Sequence, residues 1–299
     1  MTGAVASFEN IIVSDFEFNH TEALFAHLNF GKLNILHSTF TNIASPLFRL
    51  SSMSVRFDQV TINQITCNTS MPCLIRGESI ELEMLNSDIT DIVSNTELIT
   101  FSTCTSIYLF DLKILDILKY NHDNTENLFA IQANNVNNFT IEDSHFQGLE
   151  FSFVNGNKSN VKVSKTIFSN QVKTRLLPSA NSVKAINFIY LEESNSLISG
   201  SSFFGSESTF GEVIKIINKP DLHIRLSILL DKKGSIGFQR VLSKITMLRM
   251  EQLFILEAQL KCLKFKIVSS KITMLLNSEE PFSFQIKVEF KKFLLFILH

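Results

Sequence analysis

Over its first two thirds the chain alternates apolar and polar residues in short runs closed by turn-forming residues, with no apolar stripe at helical spacing. The stretch Leu33 to Leu50, LNILHSTFTNIASPLFRL, holds the unit. It carries an alternating pair (Leu33, Ile35), a small polar corner (Ser38), an aromatic (Phe40), a polar position at Asn42, a turn through Pro46 and an apolar doublet (Leu47, Phe48). Aligned on Phe40, the order recurs at Phe18, Phe40, Ile62, Ile89, Ile114, Phe146, Phe168 and Phe204, at intervals of 22, 22, 27, 25, 32, 22 and 36 residues. A second column follows: Phe25, Phe48, Ile75, Ile99, Phe129, Phe153, Ile189 and Ile214.

A repeat near 22 residues that holds two or three short strands predicts a solenoid in which one coil is one repeat. Coils then stack about 4.8 Å apart, and eight of them make a rod of roughly 40 Å with ladders of Phe, Ile, Leu and Val inside. Insertions belong at corners, and KYNHDNTEN (119–127) and QVKTRLLPSANSVK (171–184) have loop composition. The expectation is an all-β chain: a parallel β-helix of about eight coils over 1–218, then an atypical segment, irregular or out of frame, over 219–299.

Composition divides at the same place. Residues 1–218 hold 13 Lys plus Arg against 22 Asp plus Glu, and 219–299 hold 14 against 7; of the asparagines, only Asn277 falls in the second part. The formal net charge of −2 gives no electrostatic case for nucleic acid, which is not expected as a partner. The amino terminus has no basic region and no apolar run of signal-peptide length. The repeat is in phase by Phe18, so a cap for the ladder is expected upstream and the chain reads as a fragment of a longer protein, the alternative being a cytosolic chain with a minimal cap.

The cysteines are Cys67, Cys73, Cys104 and Cys262. Cys67 and Cys73 bracket NTSMP, a spacing that suits a disulfide in an oxidising compartment and equally suits two free thiols. No Cys/His grouping has zinc spacing. Sequons for N-glycosylation fall at Asn19, Asn68, Asn138 and Asn157, close to the number chance supplies in a chain this rich in Asn, Ser and Thr.

TFTNIASPLF (39–48) and FFGSESTFGEVI (203–214) place an aromatic before a polar pair and an apolar doublet after a small-residue turn. In this they resemble the right-handed parallel β-helix of the pectin-lyase-like superfamily, and within it surface proteins built on polymorphic outer-membrane-type FxxN and GGAI repeats, including long protist repeat proteins. The resemblance runs from about Phe8 to Asn218, mostly through the apolar columns alone. It implies a non-enzymatic structural or adhesive protein, extracellular or on a cell surface, with glycans or surface proteins as partners and membrane association only through segments not present here. It implies no cofactor.

The same superfamily contains polysaccharide lyases and hydrolases, which makes a carbohydrate-active enzyme the alternative. Asp58, Asp88, Asp91, Asp111, Asp116 and Asp143 are expected near one corner, as a solvated acidic stripe in preference to a calcium or catalytic cluster. Hydrolysis needs two carboxylates at a controlled separation. The sequence has no Asp-Asp pair and no His-Gly dipeptide, and arginine over 1–218 is confined to Arg49, Arg56, Arg76 and Arg175. The sequence therefore assigns no catalytic, cofactor-binding or metal-binding residue.

In the tail, KITMLRMEQLFILEAQLKCLKFKIV (244–268) favours a basic, loosely amphipathic helix. KKFLLFILH offers six apolar residues in a row, far short of the roughly 20 a spanning helix needs. A second reading starts from SKITML, which occurs at Ser243 and again at Ser270, 27 residues on, an interval that matches a coil. If each codon's third base is read with the next codon's first two, Lys-Ile-Thr-Met-Leu can encode Asn-Asn-Tyr-Ala, and Met250-Glu251 must encode glycine. Residues 250–255 can then yield Gly-Ala-Ala-Ile-Tyr. The tail is thus expected to be further coils translated out of frame, with the shift near Asn218 to Asp221. Sequencing the transcript across codons 210–230 should reveal the shift; peptides covering 240–290 from an uninterrupted frame would refute it.

Overall fold

The computed structural model describes residues 4–17, 25–119, 128–169, 188–204, 214–218, 224–230, 233–240, 264–267, 273–276, 283–289 and 293–298. Phe18, Asn19, Cys262, most of the two long insertions and residues 244–263 of the expected helix lie outside them. Every regular element among the described residues is a β-strand. Through residue 240 the strands pair in parallel, each with its equivalent one coil on, so the chain is a parallel β-helix.

Three sheets run along the rod. The first is built from Val5–Glu9, residues 31–36, residues 53–58, Glu81–Leu85, Ser106–Phe110, Asn138–Glu142, Asn160–Ser164, residues 195–199 and residues 224–227. The second begins at Ile12–Glu17 and Thr39–Ala44 and continues through Lys113–Lys119 to residues 201–204. The third begins at residues 26–29 and 48–51 and continues through Ile75–Glu78, Ile99–Ser102 and Ser152–Asn157 to Lys233–Arg240.

Strand alternation sends every second side chain inward, and register stacks like over like. Phe40, Ile62, Ile89, Ile114, Phe146 and Phe168 form one inward column and are essentially unexposed, as expected. The ends differ from the sequence reading: Val13, not Phe18, lies under Phe40, and Phe203, not Phe204, lies over Phe168. In the second column Phe48, Ile75, Ile99, Ile189 and Ile214 hold, but Ala26, Ile131 and Val154 replace Phe25, Phe129 and Phe153. Phe25 still packs against the core and Phe153 is completely buried, whereas Phe129, two residues before Ile131, lies against the Tyr190 ring.

Stacking imposes size matching. Phe146, Phe168 and Phe203 lie nearly parallel, with centroids 5.1 and 4.9 Å apart. In the third sheet one inward column reads Leu50, Gly77, Phe101, Ala133, Gly156, Leu191. A Cβ on Gly77 would lie 2.5 Å from Ile80 Cδ1, and one on Gly156 would lie 2.7 Å from Val161 Cγ2. Phe101 and Leu191 of the next coil would lie 3.1 and 2.9 Å away, so glycine sits where its own coil and the neighbouring one both bring bulk.

The chain turns at single residues in the left-handed region. All nineteen non-glycine residues with positive φ among the described ones fall into three rows along the rod. Asn10, His37, Gln59, Asn86, Asp111, Asp143 and Lys165 mark the edge between first and second sheets. Asp15, Asn42, Gln64, Asp91 and Asp116 bend the second sheet at its middle, with Gly148 in the next coil. Phe30, Ser52, Ser79, Thr103, Asn135, Lys158 and Glu193 mark the return from third to first. Asn and Asp tolerate this conformation best, which explains their abundance.

The residue after each edge turn points inward, and its neighbourhood lacks a ladder partner. Serine supplies one. Ser38, Ser87, Ser144 and Ser201 accept the amide protons of Ile11, Val60, Leu112 and Thr166 from the coil before, at 3.2–3.3 Å. Each hydroxyl donates to the carbonyl two residues back in its own coil. Ser159 and Ser194 do the same for Val136 and Ser159 at the other edge.

Beyond the parallel coils, Ser283–Glu289 and Phe293–Leu298 pair antiparallel with Lys233–Arg240 and Ile224–Leu230. Lys264–Ile267, inside the stretch expected to be helical, is a strand on Phe293–Leu298; its Lys-Phe-Lys-Ile alternation has strand period.

These features predict that Ser144→Ala, which strands the buried Leu112 amide, costs about 1–3 kcal/mol. Gly77→Val should cost a similar amount, about 1–3 kcal/mol, through overpacking. Glu81→Gln, on the exposed face, should stay within about 0.5 kcal/mol. Urea denaturation of the full chain measures all three, and an unchanged midpoint for Ser144→Ala would count against the serine row.

Candidate functional site

With the interior filled, whatever the described part of the molecule contacts must meet its outward rows. On the first sheet the row Asn34, Arg56, Glu83, Tyr108, Thr140 brings side chains from five coils into line. Arg56 donates to Asp58 at 2.8 Å and lies 3.5 Å from Glu83, while Asn86 donates to Asp58 at 3.2 Å. The Arg56 hydrogen bond is the main reason the Asp58 carboxyl sits below its ordinary range. On the second sheet Lys113 pairs with Asp88 at 3.3 Å, with His145 next in the row. Partial burial, then Lys113, hold the His145 imidazole below its usual pKa.

A second cluster of opposite charges spans two neighbouring coils. Lys165 Nζ lies 3.9 Å from Glu142 and 3.5 Å from Asp143, and the Tyr108 hydroxyl, one coil earlier, donates to Glu142 at 3.4 Å. Burial, then the Glu142 charge, raise the Tyr108 phenol. Exposed pairs of this kind contribute about 0–1 kcal/mol each. On the third sheet Arg49 and Arg76 stand in register on neighbouring coils, and neither joins an ion pair among the described residues.

The six aspartates expected near one corner fall into four rows. Asp111 and Asp143 share the first edge, and Asp91 and Asp116 share the mid-sheet bend. Asp58 ends a first-sheet strand, and Asp88 begins a second-sheet one. Among the described residues no three His, Cys, Asp or Glu side chains come together in a geometry that could hold a metal ion. Sequence proximity misleads here because the edge turn and the mid-sheet bend are only about five residues apart yet form separate rows: Asp111 and Asp116 are both left-handed but in different rows.

Of the two alternatives for Cys67 and Cys73, the structure has the disulfide, with Cα atoms 5.6 Å apart, closing a loop at the end of Thr61–Cys67. Cys104 fills the inward slot after an edge turn that serine takes elsewhere, with Sγ 3.3 Å from the Ser102 carbonyl. Burial raises its thiol pKa. Of the described sequons, Asn68 and Asn138 are exposed, while the Asn157 side-chain oxygen is buried. The edge serines were the positions that sequence reasoning missed apart from Ser38; their signal is a small hydroxyl directly after His, Asn or Asp, as in His37-Ser38, Asn86-Ser87 and Asp143-Ser144.

Among known proteins, no family model matches this chain. No curated protein matches it significantly. Solved structures with some likeness include QnrB1, a plasmid-mediated fluoroquinolone resistance protein, at 10% identity over 71% of this chain and 83% of that one, with a TM-score of 0.19. Another is the tailspike protein gp49 from Pseudomonas phage LKA1, at 7% identity over 98% of this chain and 66% of that one, with a TM-score of 0.21. At these scores the fold assignment stands on the strand register above, and no activity carries over.

The thiol assignments are directly measurable. In native, unreduced protein, Cys67 and Cys73 should resist alkylation until a reductant is added, and Cys104 should label only after denaturation. Labelling of Cys67 before reduction would remove the disulfide.

Proposed function

We propose that this chain is a non-enzymatic structural or adhesive repeat protein of an extracellular or cell-surface location, in which the β-helix is a rigid spacer and its polar faces meet glycans or surface proteins. The observation that carries this reading is the outward tiling. Serine, threonine, asparagine and paired charges repeat at coil spacing along three faces, while the chemistry-bearing acids are dispersed over four rows. A surface of that kind offers many weak, aligned hydrogen-bonding positions, as multivalent contact requires. The Cys67–Cys73 disulfide supports an oxidising location. The fold, with its aromatic-then-apolar-doublet repeat, supports kinship with pectin-lyase-like surface proteins carrying FxxN and GGAI repeats.

A carbohydrate-active enzyme is the second reading, and among the described residues the Glu142, Asp143 and Lys165 grouping is the site it would use. Antibody labelling and protease shaving of intact cells test the first. The expected result is accessible protein with an oxidised Cys67–Cys73 pair; protein confined to the cell interior with both thiols reduced overturns it. Polysaccharide cleavage that Glu142→Gln abolishes would favour the enzyme.

A further inference from the structure

We propose that Asn68, on the disulfide-closed loop, is an acceptor of an N-linked glycan, and that the Asn157 sequon is not used in the folded protein. The proposal rests on the exterior location argued above. Its evidence is the local atomic arrangement, which treats the two sequons differently.

Asn68-Thr69-Ser70 lies on the loop that the Cys67–Cys73 bond closes, and both Asn68 and Ser70 are exposed. Asn95, one coil on, donates its amide to Asn68 Oδ1 at 2.7 Å. That bond takes up the oxygen of the exposed Asn68 side chain and not Nδ2, the atom that would carry sugar. The loop is held independently of Asn68: the Thr69 hydroxyl bonds both the amide and the carbonyl of Met71 at 3.3 Å, and the Thr96 hydroxyl donates to the same carbonyl at 2.6 Å. A substituent on Nδ2 therefore leaves every one of these bonds in place.

Asn157-Lys158-Ser159 is the opposite case. The Asn157 Oδ1 is buried, and Asn157 ends a third-sheet strand between Asn134 and Glu192. The Ser159 hydroxyl is buried too, donating to the Asn157 carbonyl at 2.9 Å and accepting from the Val136 amide at 3.0 Å. A glycan there would have to fit between the register neighbours Asn134 and Glu192, beside a buried side-chain oxygen and a buried sequon hydroxyl. Asn138 is exposed but belongs to a paired strand whose next residue, Phe139, is core.

The modification has a defined balance. A membrane transferase supplies an oligosaccharide linked through its anomeric carbon to a polyisoprenyl pyrophosphate. Asn68 Nδ2 forms a bond to that carbon as the carbon–oxygen bond to pyrophosphate breaks; the lipid pyrophosphate leaves with the electron pair, and the amide gives one proton to a base of the transferase. No oxidation occurs. The sugar then stands beside the Cys67–Cys73 bond, covering the loop.

The test expresses the full chain behind a cleavable secretion signal in eukaryotic cells. Secreted protein is treated with a peptide-N-glycanase in heavy-oxygen water, and the resulting labelled aspartates are mapped. Labelling at position 68 and none at 157 is expected. Both Asn68→Gln and Ser70→Ala should remove one glycan's mobility shift, and Ser70→Ala does so while keeping the Asn68–Asn95 bond. Unmodified Asn68 in secreted chain that carries the Cys67–Cys73 bond overturns the proposal. Surface labelling of the native source separates the two readings: an exported native chain with bare Asn68 sinks this proposal alone, and a native chain retained inside, with Asn68 modified on forced export, sinks the exterior location alone.

Discussion

In a parallel solenoid each backbone amide finds its acceptor only on the equivalent strand one coil away. That pairing, repeated over separations of 22 to 35 residues, is what every other feature of this protein answers to. It forces like positions to stack, so each inward residue must tolerate its own kind above and below. Phe168 packs flat between Phe146 and Phe203 for this reason, and Gly77 and Gly156 sit where Phe101 and Leu191 would otherwise collide with a neighbour. It also explains why insertions of very different length are tolerated. A loop at a corner changes nothing in the ladder as long as the strands on either side regain register.

The corners are where the ladder is interrupted and where the backbone has to be satisfied by other means. A single left-handed residue reverses the direction, and the next residue enters the interior. Serine in that slot bridges two coils, accepting from one and donating within its own, so the amides of Ile11, Val60, Leu112 and Thr166 each have a partner. Along the first edge these serines alternate with Ile11, Val60, Leu112 and Thr166, whose amides the hydroxyls take. Cys104 belongs to this scheme. Its burial, its sulfur contact to Ser102 and its raised pKa mark a structural thiol, in contrast to the bonded pair on the exterior loop.

With inward and corner positions committed to the fold, the outward rows are free to vary, and their charges pair mostly along the rod axis with the adjacent coil. Arg56 with Glu83, Lys113 with Asp88 and Lys158 with Glu193 are examples. Such pairs hold neighbouring coils in register at the surface and leave a polar face with many similar positions, suited to repeated weak contacts.

The alternation of Leu33 and Ile35, the aromatic at 40 and the doublet at 47–48 were enough to establish a stacked-coil architecture and most of its interior, because strand period and burial are local properties of the chain. Phe40 through Phe168 lie where that pattern puts them. What the pattern did not contain is which residue lies above which at the ends, where Val13 and not Phe18 meets Phe40, or which acids share an edge. Those depend on where each left-handed bend falls, and a bend is placed by hydrogen bonds to a coil more than twenty residues away. Only the folded chain brought Asn95 to Asn68 and set Asp111 at an edge and Asp116 at the mid-sheet bend, since both outcomes follow from register between coils and not from any neighbour in sequence.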